Sequence, residues 1–353
     1  MQARPGGNSS TCTQSPCYCA LDSSPAIDSA GSLYFGNMFG GDNGNAIAYY
    51  KNGTMKWMVP LGLWVISNPA ISPKDVVYFG SESAFMYAFN EDGSLAWKFG
   101  SKCSIYSNAE VAPSGNLYFG EYCGHAATDG GYFTAITSSG ALLWEIYTGS
   151  PVWSSAVANP SETTVYIGCY DKNLYALKTS DGTTVWTVSL CGAVFSSPAL
   201  AADGTIYVGA GSSGIPCPTN GTYFYAINPN GSIKWKFMPS IAATSCQSSP
   251  FVGPDGTIYF GCSDSFFYAL NPDGSLRWKY QTAAEVVSDP IVASDGTVYV
   301  GGLDSKLYTF NRPCVSGYYC PVNSTAAVAC PGGSYNAKTI SISPSDCLAC
   351  NAG

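Results

Sequence analysis

The chain has 353 residues, 46% hydrophobic and only 11% charged, a balance that supports a large folded core and excludes a disordered polymer. Its net charge of −8 at neutral pH argues against nucleic acid or an anionic membrane as partner. No apolar run approaches the ~20 residues of a membrane-spanning helix; the longest, Met58 to Ile66, contains Pro60 and Gly62 and reads as strand and loop.

Residues 1–22 read as an N-terminal arm carrying Cys12, Cys17 and Cys19. The first twelve have no apolar core of a secretory signal, so any such signal is expected to have been removed or to lie outside this chain. From Ser23 onward one phrase returns seven times: a Ser-x-Pro/Ala opening, an aromatic-x-Gly, a Tyr-Ala-apolar run, an Asp/Asn-Gly turn and a Trp. The openings fall at Ser23, Ser67, Ser107, Ser154, Ser196, Ser248 and Ser288, at steps of 44, 40, 47, 42, 52 and 40 residues. A period in this range with four strand-like runs per unit predicts an all-β chain whose residues 23–312 form a seven-bladed β-propeller of four-stranded antiparallel blades.

The fifth unit shows how one repeat makes one blade. Pro198-Ala199-Leu200 is a short first strand, and Thr205 to Gly209 a β-branched and aromatic second. Phe224 to Ile227 is the third, closed by a hairpin turn at Asn228-Pro229-Asn230-Gly231. In the fourth, Ile233, Trp235 and Phe237 alternate with Lys234 and Lys236, as an outer strand with one packed face requires. The periodic tryptophans Trp57, Trp97, Trp144, Trp186, Trp235 and Trp278 are expected in the interblade core, and the aromatic-x-Gly glycines where backbone crowds near the axis. The seventh unit stops at Asn311 without turn or Trp strand. Its fourth strand is expected either from the N-terminal arm or from a neighbouring molecule.

Fifteen cysteines and five Asn-x-Ser/Thr sequons, at Asn8, Asn52, Asn220, Asn230 and Asn323, place the chain in an oxidising, extracellular setting, secreted or at a cell surface. Cys103, Cys191 and Cys246 each precede an opening; Cys123, Cys217 and Cys262 each follow the aromatic-x-Gly of the same unit. Equivalent positions predict the pairs Cys103–Cys123, Cys191–Cys217 and Cys246–Cys262, with Cys169 left over. Zinc is not expected, since the one histidine, His125, sits in a loop. Residues 313–353 are a separate cysteine-rich module, with Cys314, Cys320, Cys330 and Cys347 as disulfide candidates. Cys350 restarts the phrase that opens at Cys314, so the native protein is expected to be longer.

The run Tyr207-Val208-Gly209, the run Leu174-Tyr175-Ala176-Leu177 and the following Gly and Trp resemble the quinoprotein-dehydrogenase-like (PQQ-like) propeller repeat over residues 23–312. The Gly-His and Trp-Asp pairs of WD40 repeats are missing. The tail resembles the small cysteine-rich modules of ephrin-receptor and tumour-necrosis-receptor type, which depend on disulfides in place of a core. The first resemblance implies oxidoreductase chemistry. However, the adjacent Cys-Cys pair, the eighth blade and a calcium-binding Glu/Asn/Asp set that such enzymes use are not found here, so no catalytic residue, metal or cofactor is expected.

The expectation is a non-enzymatic extracellular structural glycoprotein, a subunit of a fibre, surface appendage or matrix. Its partners would be copies of itself or other extracellular proteins and glycans. The alternative is a receptor or adhesion ectodomain that binds carbohydrate or protein on the funnel face of the propeller. Two tryptophans outside the repeat pattern, Trp64 and Trp153, are the candidate ligand-face aromatics, with burial in the core as the blander reading.

Overall fold

The computed structural model describes residues 23–39, 43–124, 129–211, 222–239, 245–293 and 296–310, with four two-residue strands in the tail. The fold is a β-propeller of seven antiparallel sheets, each a meander in which chain order equals sheet order. Among the described residues six sheets have four strands and the seventh has three, Ile291–Val292, Val298–Gly301 and Leu307–Phe310. The chain divides into two compact units, the first ending at Gln247 with blades 1 to 5, the second from Ser248 with blades 6 and 7 and the tail. In the tail Tyr318–Tyr319 pairs with Val328–Ala329, and Ser334–Tyr335 with Leu348–Ala349.

Blade 4 is representative: Val157–Ala158, Thr164–Gly168, Asn173–Lys178 and Thr184–Ser189. Its second strand is buried almost throughout, and its fourth is half exposed. The pairing of third and fourth strands slips by one residue immediately after the alanine of the Tyr-Ala-apolar motif, and does so in all six four-stranded blades. That bulge sets Trp57, Trp97, Trp144, Trp186, Trp235 and Trp278 directly opposite Ala48, Ala88, Ala135, Ala176, Ala226 and Ala269. Each of these alanines is fully buried. A larger side chain would occupy the space that the indole needs, which is why the repeat keeps a methyl group there.

The tryptophans are half-buried for the most part, and they act as clamps between blades. In blades 1 to 4 the indole N–H donates to a backbone carbonyl in the hairpin turn of the next blade. Trp57 reaches Glu91 at 3.0 Å, Trp97 Ser138 at 2.9 Å, Trp144 Thr179 at 2.8 Å and Trp186 Pro229 at 2.8 Å. The indole also covers the turn glycine: a methyl group on Gly93 would lie 2.6 Å from Trp57 Cγ. Gly140, Gly182 and Gly231 stand in the same relation to Trp97, Trp144 and Trp186. Ile233, expected on the packed face beside Trp235, is 46% exposed: the bulge falls between the two residues and breaks their shared alternation.

At the other end of the repeat the opening serine ties six of the seven blades to their own second strand. Ser107 Oγ accepts from Gly120 N–H at 2.7 Å and donates to Gly120 C=O at 3.0 Å. Ser23, Ser67 and Ser288 do the same to Gly36, Gly80 and Gly301. The glycine is required by the neighbour: a Cβ on Gly120 or Gly168 would overlap Val152 or Val194, which lead into the following blade. The residue after the serine links blades again. Ser24 N–H donates to Asn68 Oδ1 (2.6 Å), Asn68 N–H to Asn108 Oδ1 (2.7 Å), Asn108 N–H to Ser155 Oγ (2.9 Å) and Ser155 N–H to Ser197 Oγ (2.9 Å). In the second unit Ser249 N–H donates to Asp289 Oδ1 at 2.6 Å.

The clamp separates two glycines of identical backbone. Gly93 has φ +85° under the Trp57 indole, whereas Gly53 has φ +83° with open space around it. Gly53→Ala is expected to cost about 1 kcal/mol from the left-handed backbone alone. Gly93→Ala should cost roughly 1–3 kcal/mol more, because the indole must move. Denaturant unfolding of the two variants measures the difference; equal losses would show that the Trp57 contact contributes nothing.

Candidate functional site

The residue immediately before the opening serine is free to vary, since its neighbours already hold the backbone. In blades 2 to 5 it is Ile66, Tyr106, Trp153 and Phe195. Three of these form one cluster of rings. The Trp153 indole lies 5.7 Å from the Tyr106 ring and 6.0 Å from Phe195, the latter at 83°. Tyr122, from the second strand of blade 3, meets Tyr106 at 4.9 Å and Trp153 at 5.4 Å and 81°. Tyr170 closes the far side against Phe195 at 5.1 Å. Near-perpendicular contacts of this kind suit the quadrupoles of aromatic rings and hold the indole in place. Trp153 is nevertheless 46% exposed, so the burial reading for it is corrected: the blade's core is already filled by the repeat residues.

Beside the rings is a pocket of about 360 Å³, with Tyr106 and Tyr122 on one wall and Glu82, Lys102 and Ser104 among its polar lining. Tyr106 Oη donates to Glu82 Oε1 at 2.8 Å and Ser104 Oγ to the Glu82 carbonyl at 2.9 Å. Burial, then the Glu82 carboxylate, holds the Tyr106 phenol well above its usual range, so it remains a donor. The Cys103–Cys123 disulfide, with Cα atoms 4.8 Å apart, pins this wall to its blade. Ser104 and Tyr122 add a β-bridge, and Ala193 and Gly211 make the matching bridge in blade 5.

Under that loop lies Glu121, a fully buried carboxylate. It accepts from Thr134 Oγ1 at 2.6 Å, Lys102 N–H at 2.9 Å and Cys103 N–H at 3.0 Å. Burial raises its pKa and these donors partly oppose that. Burial likewise raises Glu110 and Asp289.

The other residues singled out in the sequence fall as follows. Trp64 is 39% exposed, again contrary to burial in the core, yet it makes no ring contact among the described residues. It stands three positions before its serine, Trp153 only one, so the two are not equivalent. Cys191, Cys246 and Cys262 are all disulfide-bonded. Cys169 is a free, buried thiol whose pKa burial pushes up to about 12. Asn52 and Asn230 are exposed turn residues, and each Oδ1 accepts from the N–H and hydroxyl of the sequon's Thr54 or Ser232. Asp92 and Asp273 make the same turn with Ser94 and Ser275, so these two sequons also answer a structural need. Cys217, Cys314, Cys320, Cys330, Cys347, Asn8, Asn220, Asn323 and His125 lie outside the described residues. Among the described residues no group of three or more His, Cys, Asp or Glu could hold a metal ion. Tyr106, Tyr122, Tyr170 and Phe195 were not anticipated. Aligning the residue before each opening serine reveals the first and last of them.

Glu121 makes the site's stability depend on pH. Its carboxyl titrates near 4.5 in the unfolded chain and higher in the fold. Between those values the folded state holds the extra proton, so stability is greatest below 4.5 and falls as pH rises through the folded value. Glu121→Gln should flatten part of this fall in denaturant unfolding across pH 4–8, leaving the parts due to Glu110 and Asp289. Glu121→Ala should cost about 1–3 kcal/mol at every pH, because two N–H donors lose their acceptor. A Gln variant with the parent's slope would show that Glu121 titrates normally.

No curated protein matches the sequence. Among solved structures, BamB from Moraxella catarrhalis is similar at 16% identity and TM-score 0.52, over 82% of this chain and 94% of that one. The WD40 β-propeller domain of Doa1 is similar at 14% identity and TM-score 0.58, over 81% and 90%. Saccharomyces cerevisiae Sqt1 is similar at 13% identity and TM-score 0.67, over 84% and 83%. At such identities the likeness is one of fold, and it extends to a WD40 propeller although that repeat's sequence signature is missing here. Residues 129–313 match the family described as outer membrane protein assembly factor BamB, and with more than half of its length in that match the chain belongs to this family of PQQ-like β-propellers.

Proposed function

We propose that this protein is a non-enzymatic extracellular structural glycoprotein, a propeller that fastens itself into a surface or matrix assembly through the aromatic face of blades 3 to 5. The observation that carries the reading is Trp153: 46% exposed, yet braced by Tyr106, Tyr122 and Phe195. An ordered, solvent-facing indole costs hydrophobic free energy unless something covers it, and large aromatics in such settings are typical contact anchors. The oxidised cysteines support the extracellular setting. The exposed Asn52 and Asn230 sequons support glycosylation there. In this reading the tail is a disulfide-dependent spacer of the ephrin-receptor or tumour-necrosis-receptor type.

Protein isolated from its source should yield Asn52 and Asn230 peptides that shift on glycosidase treatment. Trp153→Ala with Phe195→Ala should give a folded, secreted chain that is shed into the medium in place of being retained on the surface or matrix. Unmodified asparagine at both sites would remove the glycoprotein assignment, and full retention of the double variant would remove the aromatic face from the contact.

A second reading, self-assembly into a filament, is favoured by the seventh sheet. Among the described residues its last strand, Leu307–Phe310, is paired on one side only. A strand donated head-to-tail by each molecule to the next would propagate as a helical polymer. Deleting residues 1–20 should then leave folded monomers under the electron microscope, while fibres of normal length from the truncated chain would exclude the arm as donor.

A further inference from the structure

The chemistry of the pocket beside Trp153 narrows what this face can hold. The rings of Tyr106, Tyr122 and Trp153 touch one another, with centroids 4.9, 5.4 and 5.7 Å apart. No methylammonium fits between rings at that spacing, so the cluster is a ledge and not a cation cage. The polar lining carries one carboxylate, Glu82, and one ammonium, Lys102, so the pocket selects neither anions nor cations by net charge. Its volume of about 360 Å³ is at the small end of ligand sites, too compact for an extended peptide with its side chains. What remains is a compact, neutral molecule with one apolar face and a rim of hydroxyls.

We infer that the pocket lined by Glu82, Lys102, Ser104, Tyr106 and Tyr122, with the adjoining Trp153 indole, binds a neutral saccharide. The inference rests on the aromatic face being the contact surface and gives that contact a chemical class. The axial C–H groups of a pyranose carry slight positive charge and lie against the electron-rich face of an indole. Sugar hydroxyls donate to the Glu82 carboxylate and accept from the Lys102 ammonium, charge-assisted bonds that are stronger than those between neutral groups. Tyr106 already donates to Glu82 Oε1, so that carboxylate is oriented before any ligand arrives. The disulfide at Cys103 and Cys123 and the buried Glu121 beneath the Lys102–Cys103 backbone hold the same wall still.

The test uses the intact chain and an immobilised panel of neutral glycans covering α- and β-linked glucose, galactose and mannose. Saturation-transfer NMR with the corresponding free disaccharides follows. At least one is expected to bind, quenching or shifting tryptophan fluorescence. Trp153→Ala should weaken it at least about tenfold, and Glu82→Gln should weaken it by a smaller factor. Leu142→Ala, at the opposite end of its strand from the loop bearing Trp153, should leave affinity unchanged. Both loss variants must keep the parent's unfolding midpoint, and if Trp153→Ala does not, Trp153→Phe with the same expected direction replaces it. No binding to any panel member at millimolar concentration overturns the inference. So does binding that Trp153→Ala leaves intact, or preferential binding of tetramethylammonium or of a peptide at this pocket. If the sugars fail while the Trp153 and Phe195 variant is still shed, the aromatic contact stands and only its ligand class is wrong.

Discussion

The contact on which the first unit depends is the indole of one blade lying over the glycine turn of the next. It satisfies three conditions at once. The indole needs a methyl-sized neighbour across its own sheet, which Ala48, Ala88, Ala135 and Ala176 supply. It needs a flat partner without a Cβ, which the turn glycine supplies, and an acceptor for its N–H, which the turn carbonyl supplies. Burial of a large aromatic contributes on the order of 2–3 kcal/mol, and repetition turns a modest contact into the main cohesion between neighbouring sheets.

Around the opening serines the logic is polar. Here the strands lie too close for side chains, so glycine stands where the next blade's valine presses in, and the serine hydroxyl bonds to that glycine's backbone. The chain of backbone N–H groups donating to Asn68, Asn108, Ser155 and Ser197 then joins consecutive blades without any apolar surface. Ser248 departs from the rule: its hydroxyl is buried without a partner among the described residues. Cys246 stands two residues before it, where blades 2 to 5 and 7 carry Val or Ile.

A scaffold so fully specified by its repeat leaves the positions between the fixed residues open for other uses. Blades 3 to 5 fill one such position with Tyr, Trp and Phe, and blade 3 adds a disulfide and a buried carboxylate beneath the same loop. Aromatic side chains from three successive blades, a disulfide and a buried carboxylate thus gather along one stretch of chain, and the proposed contact face rests on that gathering. Cys169, by contrast, is a small buried thiol donating weakly to the Ser150 and Pro151 carbonyls, and it serves packing.

Much of the fold was legible in the sequence because the repeat is written in residues that have few structural alternatives. Trp, Gly and Ser at a period of 40 to 52 residues announce seven blades, and the missing turn and Trp of the last unit match the three strands described for its sheet. The pairing of Cys103 with Cys123 was open to the same positional reasoning, since both flank one blade's opening. What the repeat does not encode is which side chains from successive loops converge. Trp64 and Trp153 look alike in the sequence, but among the described residues one meets no other ring and the other joins four rings drawn from blades 3, 4 and 5. The bulge after each Tyr-Ala was equally hidden, because a one-residue slip leaves no trace in composition while it decides what the Trp faces. Periodic, local chemistry determined the blades; only the tertiary structure decided the site, because a site is made by distances between residues that the chain keeps tens of positions apart.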